Sequence, residues 1–362
     1  MEIRIVTKNE EFLRLKGEWN RINSSKVPFL KFDWQYNWWL AYNDQHPGDN
    51  LYIIVIEYLG QVKAIIPGYL KSKKILGKKI ITWQFLSSLL ESKDLDAITN
   101  ENNPEDFILA ITEIFNDKSV HIWNFNFLLP TSFLNGVLKR IEGIMKDEIE
   151  VEYLIVKNQK NFEEYIKLLK PRMRTKVRKM TKEASKLHLK LRLVDDQDSL
   201  DNFIKLHQNR WEAEGHMGAF GGYKKYRISF FRKKISWLVE GGIMRLYALI
   251  SEKGEVLGYQ HFFVGENKVY LFQEAYVYQN DIIKTPGNLL RVLVLQEIMS
   301  EGRFDYDFMD GSSFHKSSWG PESMVQYTIK IYKNKMIQSF VKSELLKGKI
   351  NGLKLKLKKL TS

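Results

Sequence analysis

Val269-Tyr-Leu-Phe-Gln-Glu-Ala-Tyr-Val-Tyr278 is followed by a short polar loop and then by Thr285-Pro286-Gly287-Asn288-Leu289-Leu290. The first run has the β-branched and aromatic content of a strand. The second opens a helix, with proline in the first turn and a glycine that leaves the backbone uncovered. Such a turn presents bare N–H groups at the positive end of the helix dipole, where a pyrophosphate is stabilised. Its plainer reading is a Pro-Gly pair that only punctuates the chain. Just upstream, Met244–Ile250 and Val256–Val264 predict a hairpin around Gly254, and downstream the helix leads into a strand, Phe304-Asp305-Tyr306-Asp307-Phe308.

The order strand, helix, helix, hairpin occurs twice. Leu189–Val194 predicts a strand, Asp195–Asp198 caps a helix that ends in Arg210-Trp211, and a second helix carries Tyr226, Phe230, Phe231 and Trp237 ahead of the Gly254 hairpin. Roughly 190 residues earlier, beyond the usual length of one domain, Glu2–Val6 predicts the strand and Thr7-Lys8-Asn9-Glu10 has the form of a capping box for a helix with Phe12, Leu13, Leu15 and Trp19. An aromatic helix with Trp34, Trp38 and Trp39 follows, then a hairpin of Leu51–Ile56 and Val62–Leu70 around Gly60. A further strand covers Ile80–Phe85, with helices near Asp106–Phe115 and Leu134–Met145 and strands near Val120–Phe125 and Ile149–Ile155. This pattern predicts a duplicated α/β unit, with mixed sheets covered by helices. The expected domains are 1–157 and 158–340, divided at the polar run Lys157–Asn161, with a basic tail over 341–362.

A chain of 362 residues exceeds one ordinary hydrophobic core, and its 44% apolar content can fill two. The net charge of +13 points to an anionic partner: CoA, a nucleotide-linked sugar, RNA or an acidic membrane surface. The absence of cysteine excludes disulfides, thiolate zinc sites and a cysteine acyl-enzyme, so any group transfer is direct. No histidine pair has ligand spacing and no nucleophile elbow or Walker loop occurs, so no metal is expected. The N-terminus enters a strand without a secretory core, and no apolar run reaches the roughly 18–20 residues of a membrane span. A soluble cytoplasmic protein is expected. Its tail, with lysines among Leu345, Leu346, Ile350 and Leu353, reads either as a basic amphipathic helix in peripheral contact with a membrane or as a solvated segment.

Several blocks in order carry a family resemblance: Leu206-His207-Gln208-Asn209-Arg210-Trp211, the strands around Gly254 to Gly258, Thr285-Pro286-Gly287-Asn288, and Phe304 to Gly311 followed by Phe314-His315-Lys316 and Trp319. Over Asn161–Lys333 the chain resembles the tandem GNAT-type acetyltransferases of the CelD-like family, associated with cellulose biosynthesis and related to Fem-type aminoacyltransferases. It lacks the compact glutamine/arginine-x-x-glycine-x-glycine phosphate loop of single-domain GNAT enzymes. The resemblance implies two tandem GNAT-like domains, an acetyl-CoA or other acyl-CoA donor held at Thr285, Pro286, Gly287 and Asn288, and N-acyl transfer. The acceptor it implies is an amino group of a sugar, nucleotide-sugar, amino acid or surface-polysaccharide precursor. Two alternatives stand beside it: a Fem-like transferase using aminoacyl-tRNA, the one case in which nucleic acid is a partner, and a catalytically silent module at anionic membrane or glycan machinery.

Attack of an amine on a thioester needs a base for the ammonium proton and donors for the oxyanion. Strand periodicity puts Tyr270, Phe272, Glu274, Tyr276 and Tyr278 on one face, so that Glu274 lies in an aromatic row where desolvation raises its pKa toward that of a base. The plainer reading pairs it with a buried Arg or Tyr. Asp307 and Asp310 stand toward the C-terminal end of their strand, where ligands gather in α/β sheets. His315 and Lys316 follow on a loop short enough to bring both near them, and a neutral histidine can accept the amine proton. His207 and Arg210 share a helix face, with Arg210 suited to a phosphate, a substrate carboxylate or an internal ion pair. Arg174, Arg178 and Lys182 stack at four-residue spacing on the helix that opens at Pro171, either for a polyanion or as a solvated face.

Overall fold

The computed structural model describes residues 1–75, 77–89, 92–277, 282–302, 304–310 and 314–344, with the side chains of Ser236, Asp310 and Phe314 outside that description. The first half runs β1 (Glu2–Val6), α1 (Asn9–Arg14), α2 (Lys16–Ile22), α3 (Phe32–Gln45), β2 (Asn50–Leu51), β3 (Ile53–Tyr58), β4 (Gln61–Ile66), β5 (Gly68–Ile75), β6 (Lys78–Phe85), β7 (Ile98–Thr99), α4 (Ile108–Ile114), β8 (Ile122–Leu128), α5 (Phe133–Arg140) and β9 (Lys146–Val156). The second runs α6 (Phe162–Leu168), α7 (Pro171–Lys186), β10 (Lys190–Val194), α8 (Gln197–Ala213), α9 (Tyr226–Glu240), β11 (Met244–Ile250), β12 (Val256–Val264), β13 (Lys268–Tyr276), α10 (Pro286–Ser300), β14 (Asp305–Asp310), α11 (Phe314–Ser317) and β15 (Glu322–Tyr332), and ends in helix over 335–344.

The expected mixed α/β architecture is present, and both hairpins form where the glycines stand, Leu59 and Gly60 taking φ of 51° and 72°. The expected capping box at Thr7 does not form. Lys8 is the N-cap without a side-chain bond, and the Asn9 side-chain Oδ1 instead accepts the Trp39 indole N–H at 2.8 Å. Asp196 does cap α8, accepting the Ser199 N–H at 2.7 Å.

Eleven strands form one sheet in the order β10-β11-β12-β13-β14-β9-β15-β8-β6-β5-β2, and β1-β3-β4-β7 form a second. The large sheet interleaves the two halves. β9 lies between β14 and β15, pairing ten residues with β15, while β15 goes on to pair with β8. The last strand of each half thus completes the sheet of the other. Aromatic packing reinforces the join: Phe29 lies 5.3 Å from Phe263 and 5.0 Å from Tyr270, and Trp34 lies 4.9 Å from Phe263. Such edge-on contacts are worth about 0.5–1.5 kcal/mol each beyond burial. No helix among the described residues is long and apolar enough to cross a membrane.

Candidate active site

β13 and β14 run parallel only from Lys268 and Asp305 to Tyr270 and Asp307. Beyond that point β13 stays with β12 as far as Tyr276, while β14 stays with β9, Asp310 opposite Tyr153. The strands splay, and a cleft of about 480 Å³ opens between them, lined by Arg210, Trp211, the stretch 271–274, Phe308, Met309 and Lys316. Met309 has φ of 58°, a left-handed conformation costly for this side chain, held by its N–H bond of 2.7 Å to Asp307.

A β-bulge determines what faces the cleft. His261 pairs with Gln273 and Phe262 with Leu271, so Phe272 has no partner in the register and the alternation changes phase. Tyr270 and Phe272 join the core shared with the first half, whereas Glu274 turns to α10. The expected aromatic row is therefore broken. Glu274 bonds the guanidinium of Arg291 and the Tyr276 hydroxyl, and accepts from Gln260 Nε2 at 2.7 Å. Burial would raise its pKa, but Arg291 and these hydrogen bonds outweigh that and hold it below the usual value. The expected upward shift is corrected: Glu274 is a paired carboxylate.

Arg291 has a side chain only 2% exposed, and its guanidinium lies 5.6 Å from the Phe308 ring and 5.3 Å from that of Trp319. It also donates from Nη1 to His315 Nδ1 at 3.3 Å. Arg291 thus joins β13 to α11. Burial and the Arg291 charge lower the His315 pKa, so this exposed ring is neutral at neutral pH. Lys316 reaches back to the Phe308 carbonyl at 2.8 Å rather than to Asp307.

Asp307 points away from the cleft. It is fully buried on the opposite face of β14 from Tyr306 and Phe308, with Lys93 Nζ 3.0 Å from Oδ1 and Lys268 Nζ 3.8 Å from Oδ2. Lys268 and the Tyr270 hydroxyl each bond Asp94 at 2.9 Å. Burial pushes the Asp307 carboxyl up, against the pull of Lys93 and Lys268. This cluster binds the first half to β13 and β14. Asp310 ends β14, and its side chain lies outside the described residues.

His207 is buried under the cleft wall, and burial lowers its pKa to about 4. The Trp211 indole donates to its Nε2 at 3.0 Å and the Gln273 amide oxygen lies 2.9 Å from the same nitrogen, so it orients two lining residues without reaching the space. A Cβ on Gly218, at φ 59°, would lie 2.8 Å from Trp211 Cδ1, so only glycine lets this loop press on Trp211. Arg210 lines the cleft, its Nε 3.3 Å from Glu214 and its guanidinium 5.2 Å from the Trp211 ring.

At the start of α10, Thr285 is the N-cap and Pro286 occupies the first turn, with Gly287 and Asn288 following. Gly287 is dictated by packing: a Cβ there would lie 2.6 Å from Tyr276 Cζ. A second cavity, about 900 Å³, reaches Thr285 and is walled by Lys284 and by Lys176, Lys179, Lys182 and Lys186 of α7. The lysines facing a cavity are therefore mostly not the expected stripe. Arg174 bonds the carbonyls of Lys167 and Leu169, and Arg178 stands exposed 3.8 Å from Glu163. Tyr276 packs against Gly287 at the start of α10 and bonds Glu274 of the cleft through its hydroxyl.

The structure thus brings Arg210, Glu274 and Lys316 to one cleft, with His315 attached through Arg291, and leaves Asp307, His207 and Arg178 outside it. Arg291 went unrecognised in the sequence. Its signal was one arginine among the apolar residues of Leu289–Leu295, which can be buried only with a partner.

Residues 171–317 match the acetyltransferase (GNAT) domain. The chain carries an acyltransferase domain. No protein of curated function matches it. Among solved structures, FemX aligns over 93% of this chain and 99% of its own at 16% identity and a TM-score of 0.59. L-PGS from Bacillus licheniformis aligns over 94% and 96% at 12% identity and 0.52. A conserved protein of unknown function from Bacteroides thetaiotaomicron aligns over 91% and 100% at 9% identity and 0.56. At these identities the likeness is one of fold, and it extends through both halves.

Proposed function

We propose that the protein transfers an acyl group, acetyl in the first instance, from acyl-CoA to an amino group of a sugar, nucleotide-sugar, amino acid or surface-polysaccharide precursor, in keeping with the CelD-like resemblance. The observation that carries this reading is the splay of β13 from β14 beside a lysine-walled cavity at the start of α10. The residues fit the donor: Lys176, Lys179, Lys182, Lys186 and Lys284 match its phosphates, and the cleft is wide enough for a thioester and an amine. Acyl-CoA supplies the activated acyl group, and this chain's residues position the acceptor and manage the proton. Neutral His315 accepts the amine proton at Nδ1, its one lone pair, when the 3.3 Å contact from Arg291 Nη1 gives way, Arg210 holds an anionic group of the acceptor, and Arg291 keeps Glu274 in register. Backbone N–H groups at the bulge, where Phe272 has no partner in the register, serve in this reading as the donors for the oxyanion.

Steady-state release of free thiol from acetyl-CoA with a panel of amines tests this reading. Reversing Lys179 and Lys284 to glutamate is expected to weaken CoA binding by calorimetry roughly 10²–10⁴-fold, since charge-assisted contacts are worth about 1.5–3 kcal/mol each. Gly287→Glu is a poorer probe, because it would also collide with Tyr276. Unaltered CoA affinity in the folded double variant removes the cavity from the donor site. The rival donor, aminoacyl-tRNA, is favoured by the same lysine wall; its consumption by protein that does not bind CoA would replace the acyl-CoA reading.

The His315 shift sets a pH dependence. With its pKa lowered, the basic form is complete above a value below 6.5, so turnover should rise through that limb and be flat near pH 7. His315→Gln should lose the limb and roughly 10²–10⁴ of turnover. A limb that persists in the variant assigns the proton to another group.

A further inference from the structure

The lysines of the expected tail beyond residue 344 lie outside the described residues; among those described, Lys93 alone is fully buried. A buried ammonium needs a partner held close, and a buried ion pair adds little stability that packed apolar side chains would not supply. What Lys93 and its neighbour Asp94 touch gives them another use. The last rung of the parallel ladder before β13 and β14 part is Tyr270 opposite Asp307. The first half holds both members of that rung: the Tyr270 hydroxyl bonds Asp94 at 2.9 Å, and Lys93 Nζ lies 3.0 and 3.2 Å from the two oxygens of Asp307. Lys268, at the start of β13, bonds Asp94 and stands 3.8 Å from Asp307.

Immediately past this rung β14 bulges. It advances three residues from Asp307 to Asp310 while β9 advances two, from Ile155 to Tyr153. An extra residue of this kind bends a strand, and its left-handed position is ordinarily filled by glycine. Here Met309 fills it, at φ of 58°. The oxygen that accepts the Met309 N–H is Oδ1 of Asp307, the one nearer to Lys93. On the far side of the bulge, the ring of Tyr153, opposite Asp310, has its centre 3.3 Å from Lys93 Nζ. One ammonium from the first half therefore meets groups at both ends of the bulge. Met309 packs on the core shared by the two halves and lines the cleft.

We propose that Lys93 and Asp307 are positioning residues, which hold the β14 bulge, with Met309 left-handed, in the form that opens the cleft to the acceptor. The inference rests on the cleft being the place of acyl transfer. In the full-length protein, Lys93→Leu and Asp307→Val together remove the pair without stranding a charge, since Lys268 keeps Asp94, and the double variant should melt near the native temperature. Its kcat/KM for the acceptor should fall roughly 10–100-fold, the cost of a left-handed residue no longer held, while CoA affinity stays as it was. Adding Met309→Gly should restore kcat/KM to that of Met309→Gly alone, because glycine takes the conformation unaided. A merely structural loss would not be relieved in this way. Lys93→Arg, which keeps the charge in a larger head, should show the same pattern at smaller amplitude and serves if the double variant fails to fold. Spectra of protein carrying 13C-labelled methionine methyls need no substrate. The Met309 signal, identified by its absence in Met309→Gly, should shift or split in the double variant. A native protein that acylates no amine would fail the acyl-transfer reading, and the methyl spectra would then decide the role of the pair. An unmoved Met309 signal, a loss of turnover that Met309→Gly does not relieve, or turnover equal to the native protein's would each overturn the proposal.

Discussion

Residues 158–340 produced alone should be largely unfolded or aggregated, and should regain a cooperative melt when produced together with residues 1–157. The reason is the exchanged strand. Without β9, β14 loses its neighbour beyond Asp307, and β15 loses both its partners, β9 and β8. Tyr153, Leu154, Ile155 and Val156 are all buried in the complete chain. At about 1.5–3 kcal/mol per buried large apolar side chain, their loss removes an upper bound of roughly 6–12 kcal/mol. A whole domain is stable by about 5–15 kcal/mol, so the fragment retains little or nothing. Circular dichroism melts and gel filtration of each fragment, separately and co-produced, check this. A monomeric 158–340 fragment that melts like the full chain would show that the exchange is dispensable.

Replacing Arg291 by methionine should destabilise the protein by about 3–5 kcal/mol at neutral pH, as expected when one partner of a buried pair is removed. Glu274 would be left among Tyr276, Gln260 and the apolar residues around α10 without its counter-charge. In the native protein the Glu274 pKa is lowered, so its contribution is full above the unfolded value of 4.5 and is lost as pH falls through the lower folded value. Without Arg291 the carboxyl titrates upward. The stability gap between native and variant should therefore begin to narrow on acidification through the variant's raised value, above 4.5, and go on narrowing until the native protein's lowered value is passed. Adding Glu274→Gln to Arg291→Met should recover most of the loss, because the unpaired charge is then gone. Denaturant titrations of the three proteins across pH measure this. An unchanged gap at every pH would mean that packing against Phe308 and Trp319, and not charge, is what Arg291 supplies.

Local pattern made much of the fold legible. Strand composition placed β13, glycines placed both hairpin turns, Pro286 placed the start of α10, and runs rich in aromatic residues marked α3 and α9 as helices. The twofold recurrence of strand, helix, helix and hairpin was also readable, because each element depends on residues within a few positions of it. So was the likeness to acyltransferases, carried by the order of the blocks along the chain; Gly287 belongs here too, and the approach of Tyr276 leaves no room for a Cβ there.

What the sequence by itself determined was therefore the local elements, their order and the tandem mixed α/β architecture. Tertiary structure alone decided the partners. The bulge at Phe272 moved Glu274 from an aromatic row to Arg291, because one extra residue in a strand reverses every side chain beyond it. Lys93 meets Asp307 across 214 positions, a separation at which no spacing rule operates. The exchange of β9 and β15 likewise follows from edges that pair wherever a matching strand is available, and backbone hydrogen bonding carries no signature of which half supplies it. Periodicity acts over a few residues, whereas charge pairing and strand addition are settled only when distant segments share a low-dielectric interior.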